Sequence, residues 1–456
     1  MQLLAHQIKA VEVARQCARY AYLWQCGAGK TIALLAVCDA IRLRTLVIAP
    51  KSTMRAAWIE DARHFPSLDV RLAWHGNKAE RISIIREGLW DIAVTNFETF
   101  KSHAADFLAA GARRLIVDES SKIKNYNSAI TKAVHQFSDK MDSVYLLSGT
   151  PAPNNPTEYW GQLRAIDKGA AGVSYWGFAH RYATPIKRRV ASLGKEVISG
   201  WTQSEAQRAA LSSVLAPHCW FLKKEDCVDL PEQSDRVIDV YLSDDERVAY
   251  ENAAKSLRIE LADGTVSKIK ANAALTKCRQ ILGGQVRAAG EIVKTGSSKL
   301  GALSDLLDEL GSHTPVVIWA EYTAEIDAIM ELLNQRGEPS ERIDGSTSHY
   351  AGAIVKRFQD GDIFRVVCQP QAAGHGITLT RASDAIYFSL GFSAEQYEQS
   401  RDRIHRVGQG RPCTYYLLIV PGSTDVACLK TVRKKMSAAD AVRESVGILT
   451  ERDNAR

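Results

Sequence analysis

Trp24-Gln25-Cys26-Gly27-Ala28-Gly29-Lys30-Thr31 sets a Gly-x-Gly-Lys-Thr loop between two apolar runs, Tyr20-Ala21-Tyr22-Leu23-Trp24 before it and Thr31-Ile32-Ala33-Leu34-Leu35-Ala36-Val37 after it. The first run reads as a buried strand and the second as the start of a helix. The free N–H groups and positive dipole end of that helix favour an anion. Glycines let backbone curl closely around phosphates. In that reading Lys30 reaches the β- and γ-phosphates of a nucleoside triphosphate and the Thr31 hydroxyl ligates magnesium. The generic pattern also carries a glycine five residues before Gly29, where this chain has Trp24. Tight strand-to-helix packing is the alternative reading of the same turn.

Arg114-Leu115-Ile116-Val117-Asp118-Glu119 ends a second apolar strand in two adjacent carboxylates, at the carboxyl edge where open α/β sheets collect ligands. Asp118 there would hold magnesium, and Glu119 would orient and deprotonate the water that attacks the γ-phosphate. A capped helix start is the simpler alternative. Ser148-Gly149-Thr150-Pro151 follows another apolar strand and brings hydroxyls to the same edge. Toward the other end of the chain, Gln399, Arg403 and Arg406 are spaced i, i+4 and i+7, so a helix would align them on one face. Arginine forks bind phosphate oxygens bidentately, whereas a solvated charged helix is the bland reading.

The 456 residues exceed what one core comfortably organises. Apolar residues at 46% and charged residues at 24% fit a globular chain rather than a disordered or membrane one. A net charge of +6 permits a polyanionic partner without requiring one. Nine cysteines form no Cys-x-x-Cys pair, which points to buried thiols in a reducing compartment. No apolar stretch approaches a membrane span and the start Met1-Gln2-Leu3-Leu4-Ala5-His6 lacks a basic region followed by an apolar run, so the expected location is the cytoplasm, or the host cytoplasm for a viral chain. The eleven histidines form no zinc-type cluster.

Strand candidates alternate with helical stretches from residue 1 to about 155, at Leu46–Ala49, Ile92–Val94, Leu115–Val117 and Val144–Leu147. The pattern breaks at Pro151-Ala152-Pro153-Asn154-Asn155-Pro156. It resumes near Ser298, with Val316–Trp319, Val366–Cys368, Ala385–Phe388 and Tyr415–Val420. The expectation is an α/β protein with two parallel-sheet lobes, residues 1–155 and 291–456, and a largely helical segment over 156–290.

Taken in order, these segments resemble the Swi/Snf family of superfamily-two helicase-like ATPases, over nearly the whole chain. His6-Gln7 is similar to the adenine-reading motif, Gly27 to Thr31 to motif I, Ala49-Pro50-Lys51-Ser52 to motif Ia and Thr95-Asn96-Phe97-Glu98 to motif Ib. Asp118-Glu119-Ser120-Ser121-Lys122-Ile123-Lys124-Asn125 resembles motif II, and Leu147 to Pro151 motif III. In the second lobe Asp344-Gly345-Ser346-Thr347 resembles the turn after motif IV, and Ala373 to Ala382 motif V. Gln399-Ser400-Arg401-Asp402-Arg403-Ile404-His405-Arg406-Val407-Gly408-Gln409, similar to motif VI, is the most specific segment. Leu222-Lys223-Lys224 followed by Leu230-Pro231 resembles the segment joining the motor halves.

The resemblance implies two RecA-like lobes that hydrolyse ATP with Mg2+ while moving along double-stranded DNA. It implies ATP contacts at Gln7, Gly27, Ala28, Gly29, Lys30, Thr31, Gly374 and Gln399, and catalysis by Lys30, Asp118, Glu119, Arg403 and Arg406. Magnesium would be held by Thr31 and Asp118, coupling would run through Ser148 and Thr150, and DNA would be met at Lys51, Thr95 and Arg381. The basic cluster Lys430 to Lys435 is a further candidate DNA contact. Two positions depart from the family. Ser120 and Ser121 stand where it has Ala-His, which keeps both carboxylates and leaves open how motif II meets motif III; Trp24-Gln25-Cys26 replaces an acidic pair. No long insertion or histone-reading module is evident, as in the stripped-down motors of bacteria and their viruses. A strand-separating helicase shares every catalytic motif, and an ATP-switched DNA-binding recruitment factor is the alternative outside the motor class.

Overall fold

The computed structural model describes residues 2–436 except 75–76, 191–194, 228, 263–267, 289–290 and 374–376. The chain forms two compact units, the first built mainly from Met1–Ile186 and Ile198–Asp229, the second from Lys187–Val197 and Leu230–Lys434. Each is organised on a parallel sheet.

The first sheet has seven strands in the order Val70–Leu72, Ile92–Thr95, Thr45–Ile48, Arg114–Asp118, Ser143–Leu147, Arg19–Trp24, Cys219–Leu222. Its central strands are continuous apolar runs because both faces are covered. Successive side chains point to opposite faces. Leu46, Ile48, Leu115, Val117, Val144 and Leu146 join one core with Phe100, Phe107 and Phe137. Val47, Ile116, Tyr145 and Leu147 join the other with Leu34, Val37 and Trp58.

The second sheet has six strands in the order Gln233–Asp239, Cys413–Ile419, Asp384–Tyr387, Val316–Trp319, Arg365–Cys368, Ser340–Ile343. Val316, Ile318, Val367, Ile386 and Leu418 pack there against Leu303, Leu307, Ile326 and Ile329 from flanking helices.

The middle segment 156–290 supplies a strand to each sheet. Cys219–Leu222 pairs in parallel with Arg19–Trp24, and Gln233–Asp239 with Cys413–Ile419. Its helices include Tyr159–Ile166, Tyr175–Tyr182, Glu205–Leu215, Asp244–Ala262 and Lys268–Leu282. Arg114 and Arg365, at the starts of equivalent central strands, are both fully buried. Arg114 donates to Ile41 O but has no carboxylate partner among the described residues, whereas Arg365 pairs with Glu338 and donates to Gly311 O.

Candidate active site

The strand order brings the sequence-predicted groups of the first unit to one sheet edge. Asp118 lies opposite Leu147 in register, and Leu147 opposite Tyr22. The strand that delivers Ser148 therefore runs between the one that ends in Asp118 and the one that feeds the glycine loop.

The loop is built for close backbone approach. Gly27 and Gly29 are left-handed at φ 86° and 73°, and Gly29 caps the helix Lys30–Ala40. The left-handed φ of Gly29 disfavours any other residue there, and a Cβ would in addition displace the Gln7 amide from the loop. Trp24 is fully buried, edge-on to His6, Tyr22 and Trp220 at 5.1, 5.5 and 5.0 Å. It is the last strand residue, so the chain begins to curl after it.

Gln7 donates to Gly29 O (3.2 Å) and accepts from Leu4 N (2.9 Å), while His6 Nε2 lies 2.9 Å from Ala28 O. Both ends of the Gln7 amide are engaged, which makes Gln7 a brace of the loop in this structure; reading an adenine edge requires that it let go. From the other side, Gln25 N donates to Leu222 O (3.0 Å) and Lys224 N to Gln25 Oε1 (2.9 Å). The Leu222–Lys224 segment thus fastens directly to the loop. Lys30 Nζ donates to Trp24 O (2.8 Å) and Gln25 O (3.2 Å), folded back along its own loop.

Asp118 Oδ1 accepts from Glu119 N (3.0 Å), and Oδ2 from Trp58 Nε1 (3.0 Å) and Thr53 Oγ1 (3.4 Å). Burial pushes its carboxyl above the usual range, opposed by the Trp58 hydrogen bond and the Lys30 charge. Glu119, buried, is the one non-glycine residue with positive φ among the described residues, at φ 56° and ψ 59°. Such backbone costs on the order of 1–3 kcal/mol and persists where the surroundings hold it. Here the holding groups are visible: Ser121 Oγ (2.9 Å) and Ser148 Oγ (3.0 Å) both donate to Glu119 Oε1.

Ser120 Oγ donates to Gln162 Oε1 (2.7 Å), and Gln162 Nε2 to Pro151 O (2.6 Å). Both serines at the departure from the family pattern therefore join motif II to motif III, one through the carboxylate and one through Gln162. Thr150 N donates to Ser148 Oγ (3.2 Å), and the buried Thr150 Oγ1 has no hydrogen-bond partner. Gly149 lies against the phosphate loop, where a Cβ would stand 3.0 Å from Cys26 Sγ.

The expected DNA contacts fare differently. Lys51 is exposed, its Nζ 5.8 Å from the Trp74 ring. Thr95 is fully buried and spends its hydroxyl on Ala73 O (3.0 Å), so its side chain faces the sheet interior rather than a ligand. Asn96 beside it caps the helix Phe97–Ala109. Arg381 donates to Phe358 O and Ile363 O (2.8 Å each) and packs 4.8 Å from the Phe364 ring, as an anchor of its loop.

In the second unit the helix Ala394–Arg401 stops before Arg403. The single helical face expected for Gln399, Arg403 and Arg406 is therefore not formed; a turn follows Arg401. The arginines still converge. Arg403 is buried and donates to Gln399 O (2.8 Å) and Ile377 O (3.2 Å), and Arg406 donates to Ile377 O (3.3 Å). Arg401 stacks 3.8 Å from the Tyr415 ring and pairs with Asp235 at 2.5 Å, so it ties this segment to the sheet. Gln409 Nε2 reaches the carbonyls of Thr380, Ala382 and Ile404. Gly374 lies outside the described residues.

Trp58, Ser121, Gln162 and Gln409 escaped sequence reading as functional positions. The only available signal was that Ser121 and Gln409 lie within recognisable motifs.

The residues present fit a magnesium nucleotide. Asp118 and Thr31 are hard oxygen donors, and magnesium is ordinarily held by one or two carboxylates, phosphates and water. No group of three or more His, Cys, Asp or Glu suited to hold a metal by itself occurs among the described residues.

A left-handed glycine loop opening a helix, with a strand-end carboxylate pair two strands away, defines a P-loop α/β protein. The chain belongs to the SNF2-related domain family, whose profile matches residues 6–288, and residues 298–408 match the helicase conserved C-terminal domain. It is 24% identical over 94% of its length to a human SWI/SNF-related matrix-associated actin-dependent regulator of chromatin, subfamily A member 1, covering 42% of that protein. The subfamily A-like protein 1 homologue of Caenorhabditis elegans is 31% identical over 72% of this chain and 46% of its own. The putative ATP-dependent helicase/translocase YwqA of Bacillus subtilis is 24% identical over 93% of this chain and 46% of its own. The chain thus spans less than half the length of these relatives. The SWI2/SNF2 ATPase core of Sulfolobus solfataricus, solved in complex with dsDNA, is 21% identical with a TM-score of 0.43, covering 99% of this chain and 95% of that one.

Proposed function

We propose that this protein is an ATP-dependent double-stranded DNA translocase of the Swi/Snf type, a DNA-dependent ATPase acting in the cytoplasm. The observation that carries the reading is Glu119, held left-handed and gripped by Ser121 and Ser148 at the edge that also carries the phosphate loop. Membership of the SNF2-related family supports it.

Lys30 releases Trp24 O and Gln25 O to meet the β- and γ-phosphates, and the loop amides between Gly27 and Thr31 line the phosphate path. Thr31 and Asp118 would hold magnesium, which would offset charge on the phosphate oxygens. Glu119 orients a water and takes its proton as the oxygen attacks the γ-phosphorus and the bond to the β-phosphate oxygen breaks. Arg403 and Arg406 exchange Ile377 O for phosphate oxygens and stabilise the charge of the transition state. Lys51 contacts the DNA backbone; Arg381 could do so only by leaving Phe358 O and Ile363 O. Backbone contacts of this kind make binding salt-sensitive and weakly sequence-specific.

The test is ATP turnover with and without duplex DNA, run beside strand-separation and triplex-displacement assays. Duplex-stimulated turnover with triplex displacement and without strand separation is expected. Strand separation would move the protein to the helicase class, and turnover indifferent to duplex would sink both motor readings.

A further inference from the structure

Asp118 is gripped from a direction that none of the sequence motifs names. The helical segment that begins at Lys51 changes winding over Met54–Ile59 to a π-helical turn and then resumes over Glu60–Ala62. Such turns inside a helix are rare and concentrate at functional sites, because the wider turn re-aims the side chains that follow. Trp58 sits on this turn. It is fully buried, yet its one polar atom, Nε1, donates to Asp118 Oδ2 at 3.0 Å. Thr53, on the same segment, adds a longer contact of 3.4 Å to the same oxygen.

An indole nitrogen only donates, and burying it without an acceptor is costly. Asp118 answers that requirement, and in return its carboxylate is held from one side by the indole and from the other by the Glu119 amide. A carboxylate offers about four lone-pair sites. The indole and the Glu119 amide occupy two of them, the Thr53 hydroxyl proton being shared with Pro50 O (3.1 Å), which leaves room for a metal-bound water or the metal itself.

We propose that Trp58 is a positioning residue that orients the Asp118 carboxylate toward magnesium, with the π-helical turn placing the indole for it. The proposal rests on the ATPase reading for the role of magnesium; the contact between Trp58 and Asp118 stands apart from it.

Indole N–H resonances of nitrogen-labelled protein, assigned for Trp58 with Trp58→Phe, read the contact directly in metal-free and nucleotide-free protein. The Trp58 proton should lie downfield of an ordinary buried indole and move upfield in Asp118→Ala. Adding ADP with magnesium should shift it further than ADP alone.

Kinetically, Trp58→Phe keeps a large ring and removes the donor. It should raise the magnesium concentration for half-maximal turnover about tenfold, the scale at which groups behind a metal ligand act. Magnesium-free ADP affinity should stay within about twofold, since general loosening of the fold would lower both together. A Trp58 resonance unmoved by Asp118→Ala, an unchanged magnesium dependence, or parallel loss of magnesium-free affinity overturns the proposal. Absence of turnover in the unmodified protein would sink the ATPase reading, while the resonance test still decides the contact.

Discussion

At the residue scale, Glu119 and its two serine donors form the centre of the site. Two hydroxyls on one carboxylate oxygen fix a side chain whose backbone is already in an unfavourable region. Removing one leaves the other in place, so the two are not independent. Ser121→Ala and Ser148→Ala should each lower the turnover number about threefold to tenfold, and the double variant by more than the product of the two, because only it strips Glu119 of both donors. Multiplicative losses would mean that the serines do not share Glu119. Lys30→Ala and Glu119→Gln should abolish turnover, and Arg403→Ala should cut it by about two decades, all read in the same steady-state assay. Unchanged turnover in Glu119→Gln would remove the proposed base.

Lys30, Asp118 and Glu119 were legible in the sequence because each follows an apolar strand in a short, typed motif. The grip on them was not. Trp58 and Gln162 reach the site through tertiary packing that has no signature in local spacing, and Thr95, expected at the DNA from its motif, is buried by its strand.

At the element scale, the turn Ser120–Ile123 and the helix Tyr159–Ile166 meet at Gly161, where a Cβ would stand 2.1 Å from Ile123 O. The helix also carries Gln162, which links Ser120 to Pro151. Gly161→Ala should therefore destabilise the first unit by about 2–3 kcal/mol, in the upper range for overpacked positions. Urea unfolding measures it; a loss below about 0.5 kcal/mol would contradict so tight a contact.

In the second unit Glu325, fully buried, accepts from Ser389 Oγ at 2.6 Å and from Tyr322 N, and burial pushes its carboxyl up to about 7. Lys299 nearby lowers it and Glu321 raises it. Because the folded unit holds this proton more tightly than the unfolded chain, stability contributed by the group is full below about pH 4.5 and declines as pH rises toward 7. Thermal midpoints from pH 5 to 8 should fall more steeply in the unmodified protein than in Glu325→Gln. Parallel slopes would contradict the assignment.

Elements themselves were largely legible where both faces are buried. The strands missed are mainly at sheet margins. Gln233–Asp239 and Ser340–Ile343 carry polar sequences because they lie at the edges of the second sheet. The Gln399 to Arg406 spacing suggested one helix, but the chain turns after Arg401, where that side chain is held by Tyr397, Tyr415 and Asp235.

At the scale of the whole molecule, two parallel-sheet units share one chain, and the segment between them supplies one edge strand to each sheet. Cys219–Leu222 extends the first sheet and continues into Lys224, whose amide is fastened to Gln25 of the phosphate loop. Eleven residues past Leu222 the chain enters the second sheet at Gln233. The phosphate loop is thereby tied to the stretch of chain that leads into the second sheet. The most direct measurement is displacement of a triplex-forming strand from duplex DNA, with ATP turnover followed in the same samples. The account predicts displacement that requires ATP hydrolysis and is lost in Glu119→Gln while duplex binding persists. Equal displacement by Glu119→Gln, or duplex-stimulated turnover without any displacement, would contradict it.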